Sequence, residues 1–342
     1  MSAVLGPGTA ESAKGRSAAD IYEVVDDVRL HRLQPTGTDL YPVPIVLVPS
    51  LLSKWYVFDL HPARTMAGFL RDHQYDVWIV DWGKPPRKRP TPSFETYVDD
   101  YLSAAIDDIT GVTEVDRVSI LGYSLGGVIS TMFSALYPDR IRNLITLTTP
   151  IDFHRTGMTA TWARYFPVNP FVDFWGNVPA WWMRAAVTSS SLPRVLKLWS
   201  TLGGDEDDPH RKEVLRAVRK WIGDGVPVAG EMYRTLVRDC YKHNMLIRQT
   251  LPIGGRTVEL SDIEAALLTI TASDDHLCPP QSSQALNRAV ATEDETAIMV
   301  PGTHLGAVIG PKAHHLLWTR IADWLEHRSG HHPADWYGEG AL

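Results

Sequence analysis

Arg117-Val118-Ser119-Ile120-Leu121-Gly122-Tyr123-Ser124-Leu125-Gly126-Gly127 joins a short apolar run to a stretch with helical periodicity at residues 126–137. A serine between glycines at such a junction has the form of a nucleophile elbow. The turn is so tight that side chains at the flanking positions would clash, and the serine is held exposed in strained geometry. The short motif occurs by chance elsewhere, so its place between a strand and a helix is what gives it weight.

Outward from this point the same alternation continues. Apolar runs at 45–48, 77–80, 118–121, 144–148, 267–271 and 297–300 are too short for buried helices and suit strands of a parallel sheet covered on both faces. Stretches of helical length lie at 62–73, 94–110, 126–137 and 312–327. The expected fold class is α/β, a mostly parallel doubly wound sheet with right-handed crossovers.

The alternation stops between 151 and 260, where tryptophans 162, 175, 181, 182, 199 and 221 accompany helical periodicity. This segment is read as a helical cap inserted between two parts of the core, 21–150 and 261–342. The bland alternative is a second helical domain with no role at the site. No single tryptophan is assigned a function, since such aromatics more often form core.

A serine hydroxyl is a weak nucleophile at neutral pH and needs a histidine oriented by a carboxylate. Ala272-Ser273-Asp274-Asp275-His276 follows one late strand run, and Pro301-Gly302-Thr303-His304 follows the next. Each alone reads as a surface loop; together they supply the order Ser, Asp, His of the α/β-hydrolase fold. From the residues alone Asp274 and Asp275 both stay open. Among the 13 histidines, His304 is preferred over His276, and over His314 and His315, which lie inside the last helical stretch. Acyl chemistry at Ser124 also needs two oxyanion donors. The backbone N–H of Leu125 is one candidate. The second falls in Pro49-Ser50-Leu51-Leu52, where Pro49 has no N–H, leaving Leu51, favoured over Ser50.

With 342 residues, 44% hydrophobic, the chain can bury one large core. A net charge of -7 argues against a general nucleic-acid binder, and the one basic run, Arg87-Lys88-Arg89, sits among prolines as a solvated loop. Two cysteines, Cys240 and Cys278, form no disulfide framework or metal-site spacing, which fits a reducing compartment. Residues 1–20 read as a flexible leader rather than a secretory signal. No apolar run approaches the roughly 20 residues that cross a bilayer, so the expectation is a soluble, cytoplasmic protein.

Several segments resemble the polyhydroxyalkanoate synthases, especially the short catalytic subunit of the two-subunit class III type. They are Val48-Pro49-Ser50-Leu51-Leu52-Ser53-Lys54-Trp55-Tyr56-Val57-Phe58-Asp59-Leu60, Tyr75-Asp76-Val77-Trp78-Ile79-Val80-Asp81-Trp82-Gly83-Lys84-Pro85, Thr149-Pro150-Ile151-Asp152-Phe153, Gly176-Asn177-Val178-Pro179, Asp275-His276-Leu277-Cys278-Pro279-Pro280 and Gly302-Thr303-His304-Leu305-Gly306. The likeness runs from about residue 40 to the C-terminus. It implies Asp275 as the catalytic aspartate and His304 as the base. It also implies coenzyme A thioesters of 3-hydroxy acids as substrates rather than bound cofactors. No metal or organic cofactor is implied, and both a homo-oligomer and a partner subunit stay open.

The chain departs from that family at its most informative position. The family nucleophile is a cysteine in Gly-x-Cys-x-Gly-Gly; here it is Ser124, followed by Leu125 where class III members often carry glutamine. A serine forms an oxygen ester, which water commonly resolves, whereas a thiolate suits repeated thioester exchange. Three functions follow as expectations. They are a serine esterase, thioesterase or depolymerase; an acyltransferase in which an alcohol accepts the acyl group; and an inactive scaffold subunit of a polyester or lipid complex.

Overall fold

The computed structural model describes residues 8–9, 16–87, 89–186, 209–310 and 313–330. Its centre is a nine-stranded sheet. In chain order the strands are β1 (Gly8–Thr9), β2 (Ala19–Val25), β3 (Val28–Leu33), β4 (Ile45–Val48), β5 (Val77–Asp81), β6 (Val118–Tyr123), β7 (Ile141–Leu147), β8 (Ala266–Ala272) and β9 (Glu295–Val300). Their spatial order is β1-β2-β3-β5-β4-β6-β7-β8-β9. The six apolar runs of the sequence are β4 to β9, and all five pairings among them are parallel. The chain winds outward from β4 to β5 and then crosses to β6 on the other side. That reversal opens a crevice at the carboxyl ends of β4 and β6.

Alternation within the strands sorts the core into two layers. Val46 and Val48 of β4 face one layer, with Val118 and Ile120; Ile45 and Leu47 face the other, with Leu121. The first layer is closed by α2 (Ser103–Thr113) and α3 (Leu125–Leu136), through Ile106, Ile109, Val128, Ile129 and Met132. The second is closed by α1 (Met66–Asp72) and α8 (Thr319–Glu326), through Met66, Leu70, Ile321 and Leu325. Each such fully buried aliphatic side chain is worth about 1.5–3 kcal/mol relative to exposure.

Several elements differ from the sequence reading. The helix expected over 62–73 begins at Met66, because 62–65 belong to a small hairpin of Asp59–His61 and Arg64–Thr65, and the Thr65 hydroxyl caps α1 by accepting the Gly68 N–H at 2.8 Å. The antiparallel strands β1, β2 and β3 were not expected. β2 lacks a fully buried residue and β3 mixes arginine and histidine with its apolar positions, as an edge covered on one side does. The leader assigned to residues 1–20 therefore contains ordered elements: β1, the start of β2, and Ser17, whose N–H and hydroxyl both reach the Asp59 carboxylate. The rest of the leader, 1–7 and 10–15, lies outside the described residues, as do Lys88, Trp199, Lys312 and residues 331–342.

Between β7 and β8 the described chain forms α4 (Met158–Tyr165), α5 (Val168–Trp175), helical residues 180–186, α6 (Pro209–Gly223) and α7 (Gly230–Thr235). The segment ends in a hairpin of Leu251–Ile253 and Arg256–Val258, so it is not helical throughout. The Trp221 indole N–H donates to Lys54 O at 3.2 Å and the Tyr56 hydroxyl donates to Asp224, which fixes the end of α6 against the loop after β4. In the basic run Arg87 and Arg89 are exposed, as a solvated loop implies, and Arg89 also donates to Asp173 O on α5 at 2.9 Å.

Candidate active site

β6 ends at Tyr123 and α3 begins at Leu125, so Ser124 alone makes the turn. Its backbone has φ 54° and ψ -120°, a strained conformation for a residue with a Cβ. The geometry is held from both sides: the Ser124 N–H donates to Leu147 O of β7 at 3.0 Å, and Ser124 O accepts the Val128 N–H at 3.2 Å. Close approach explains two glycines. A Cβ on Gly122 would lie 2.4 Å from Gly127 Cα, and one on Gly126 would lie 2.3 Å from Val48 O and 2.4 Å from Pro49 O. The loop after β4 thus lies directly against the elbow.

The loops after β8 and β9 bring Asp275 and His304 together. His304 Nδ1 lies 2.7 Å from Asp275 Oδ2, and the carboxylate is fully buried while the imidazole keeps 12% exposure. The other oxygen, Oδ1, accepts the N–H groups of Leu277 and Cys278, each at 2.9 Å. Asp274 is exposed, and of the two adjacent aspartates it is Asp275 that pairs with His304. With the carboxylate accepting at Nδ1–H, Nε2 is left as the basic nitrogen. The Tyr123 ring packs against the imidazole with centroids 5.3 Å apart, and burial, reinforced by the Asp275 charge, pushes its phenol well above the ordinary range.

Ser124, Tyr123, His276 and His304 line one cavity of about 990 Å³. His314 and His315 are not among its lining residues, and the His314 ring stands edge-on to Phe69 of α1 at 4.9 Å. Of the oxyanion candidates, Leu125 lines the cavity and, as first residue of α3, has an N–H with no acceptor inside its helix. Ser50 and Leu52 also line it, whereas the Leu51 side chain is buried in the core beneath. The Trp82 indole N–H fixes this loop by donating to Pro49 O at 3.0 Å.

The rest of the wall comes from the inserted segment. Phe166, Trp182 and Tyr233 line it and pack with Phe171; the Phe171–Trp182 centroids are 4.9 Å apart. Trp162 and Trp221 line it too, while Trp175 and Trp181 do not. Met158, Trp162 and Tyr165 are wall residues that are also 57%, 54% and 79% exposed, so this side opens to solvent. Sequence reading missed the aromatic wall and Arg184, because nothing local marks which residues of a tryptophan-rich insertion will face a cavity. Cys278 also lines it, its Sγ 3.1 Å from Ser283 Oγ, and burial pushes its thiol far up, as it does for Cys240. Among the described residues, no group of three or more His, Cys, Asp or Glu side chains could hold a metal ion, and no helix is long and apolar enough to cross a membrane.

A serine on a strained strand-to-helix turn and a histidine paired with a buried aspartate, all at the carboxyl ends of a doubly wound sheet, fit the class of α/β hydrolases, and the family model described as "alpha/beta hydrolase fold" matches residues 43–319. Solved structures agree on the fold. A monoacylglycerol lipase of Paleococcus ferrophilus aligns with TM-score 0.57 and 16% identity, covering 87% of this chain and 99% of that one. A thermophilic esterase of Thermogutta terrifontis aligns with TM-score 0.56 and 18% identity, covering 94% and 100%.

Sequence similarity is more specific. The chain is 32% identical over 312 residues to the poly(3-hydroxyalkanoate) polymerase subunit PhaC of Thiocystis violacea, covering 89% of this chain and 86% of the relative. To the subunit of that name from Haloferax mediterranei it is 28% identical, covering 93% of this chain and 66% of the relative. The chain belongs to the family of these polymerase subunits and is an enzyme of the hydrolase and acyltransferase superfamily.

Proposed function

We propose that the protein forms an acyl-enzyme at Ser124 and acts on acyl or hydroxyacyl esters or thioesters, with water as the final acceptor. The observation that carries this is the strained Ser124 turn at φ 54°, on the same cavity wall as a histidine oriented by Asp275. His304 Nε2 takes the proton from Ser124 Oγ as Oγ attacks the acyl carbon. The oxyanion is met by the Leu125 N–H and a donor from the loop after β4, for which Leu51 and Ser50 are the candidates. His304 then gives the proton to the leaving thiol or alcohol. Water, deprotonated by the same nitrogen, attacks the acyl-enzyme and the free acid leaves. Asp275 keeps the imidazole in the required tautomer and stabilises its cation. None of these steps calls on a metal or organic cofactor.

The open side at Met158, Trp162 and Tyr165 supports water as acceptor. A second reading, transfer of the acyl group to the hydroxyl of another hydroxyacyl group, is supported by the named activity of the polymerase relatives and by the apolar aromatic wall. The test is incubation with 3-hydroxybutyryl-coenzyme A, following free thiol and product size, with Ser124→Ala as control. Thiol release with monomeric hydroxy acid supports hydrolysis, release with oligomer supports transfer, and near-normal turnover by Ser124→Ala overturns the assignment of the nucleophile. A cytoplasmic location and a partner subunit or second copy belong to the same proposal.

A further inference from the structure

The wall of the Ser124 cavity is made mostly of aliphatic and aromatic side chains, yet it includes Arg184, from helical residues 180–186. Among the described lining residues, Arg184 is the one permanently charged side chain. It is exposed, and its Nη1 donates to Gly223 O at 3.1 Å and to Ile222 O at 3.5 Å. Those carbonyls end α6, where a helix has acceptors with no intrahelical donor and a partial negative charge.

This anchoring has a consequence for what the guanidinium can bind. One nitrogen is fixed, which holds the planar group in place and lowers the entropy cost of using the others. Nε and Nη2 have no hydrogen-bond partner among the described residues. Two donors in one plane are the edge that grips a phosphate or carboxylate bidentately. Charge at the rim of an apolar cavity also discriminates more sharply than charge on an open surface, because the low-dielectric wall screens it less.

Resting on the acyl-enzyme reading of Ser124, we infer that Arg184 is a specificity-determining residue that binds an anionic group, phosphate or carboxylate, carried by the acyl substrate away from its reacting carbonyl. The group has two chemical sources: a phosphorylated arm on the leaving thiol, or a carboxylate at the far end of the acyl chain. Neutral substrates would enter the same cavity without using Arg184.

The test uses equilibrium binding, so that it does not depend on turnover. Ser124→Ala protein, with and without Arg184→Gln, is titrated calorimetrically with three probes: 3-hydroxybutyryl-coenzyme A, the neutral 3-hydroxybutyryl thioester of N-acetylcysteamine, and the glutaryl thioester of N-acetylcysteamine. Glutamine keeps a donor for the α6 carbonyls and removes the charge, and thermal melting checks that the fold is kept. Arg184→Gln should weaken an anionic probe roughly tenfold, the loss of one charge-assisted contact, and leave the neutral one unchanged. Loss on the coenzyme A thioester alone identifies a phosphorylated arm; loss on the glutaryl thioester identifies an acyl-chain carboxylate. Equal effects on all three probes, or none, would overturn the inference and leave Arg184 as a cap of α6. Failure of the Ser124 reading appears separately, as unchanged turnover by Ser124→Ala.

Discussion

One carboxylate oxygen of Asp275 lies 2.7 Å from His304 Nδ1, while the other accepts two backbone N–H groups of its own loop, Leu277 and Cys278, each at 2.9 Å. The first contact orients the imidazole and the second orients the carboxylate. Asp275→Asn keeps the size of the side chain but allows the wrong histidine tautomer. Turnover should fall on the order of 10³–10⁴-fold with the melting temperature little changed. A variant retaining a tenth or more of the activity would remove Asp275 from the mechanism.

Ser124 stores strain at φ 54°, which glycine would not feel. Ser124→Gly should therefore be inactive and yet at least as stable as the parent, by up to about 1 kcal/mol after the extra freedom of glycine in the unfolded chain is offset. Ser124→Ala, which keeps a Cβ, should gain less. Denaturant unfolding of the three proteins measures the difference, and a clearly destabilised glycine variant would show that the turn is not strained.

Gly126→Ala should be far more damaging than an ordinary surface change. Its Cβ would meet Val48 O and Pro49 O at 2.3 and 2.4 Å, and both are backbone atoms that cannot swing away. A loss of about 1–3 kcal/mol or more is expected, with collapse of activity, because separating the elbow from the loop after β4 also displaces the oxyanion candidates. Urea unfolding and soluble yield report it; parental stability would contradict the packing.

Cys240 and Cys278 are buried, and burial pushes both thiols well above their ordinary range. Native protein at pH 8 should resist iodoacetamide and keep its activity, since the thiolate is the reactive form. Ser124→Cys places a thiol at the partly exposed elbow, unlike Cys278, which borders the same cavity but is buried, and should become alkylatable, with loss of whatever activity it has. Rapid labelling of the parent, located by peptide mass, would contradict the buried placement.

Arg328 holds Asp294 through two contacts, Nη2 to Oδ1 at 2.7 Å and Nε to Oδ2 at 3.0 Å. Its hydrogen bond keeps the Asp294 carboxyl below the ordinary range, against a smaller opposing effect of burial. A depressed carboxyl stabilises the fold fully above its unfolded pKa, about 3.9, and loses that contribution as pH falls through the folded value. Asp294→Asn should lower stability at pH 7 by less than about 1 kcal/mol, because the pair is half exposed. The gap to the parent should close below about pH 4. A gap that persists to pH 2 would assign the effect to packing.

The sequence by itself determined the parallel half of the sheet and the elbow, because both signals are local. Apolar runs from β4 to β8 carry their own burial pattern, whereas β9 at the sheet edge leaves Ala297 and Met299 exposed rather than covered on both faces; the glycines around Ser124 are required by contacts within a few residues or with the adjoining strand end. It also narrowed the proposed acid and base to short loops. Which aspartate is buried against His304 depends on how the loop after β8 turns over Leu277 and Cys278, and that is a matter of three-dimensional packing. The N-terminal strands escaped notice because an edge covered on one side has no continuous apolar run, and β2 completes its hydrogen bonds only with β1 and β3. The cavity was least legible of all. Trp162, Trp182 and Trp221 face it while Trp175 and Trp181 do not, and Arg184 reaches its wall through the end of α6, 38 residues further along the chain. Only the tertiary structure decides such placements, because they follow from which helix packs on which rather than from the preference of any one residue.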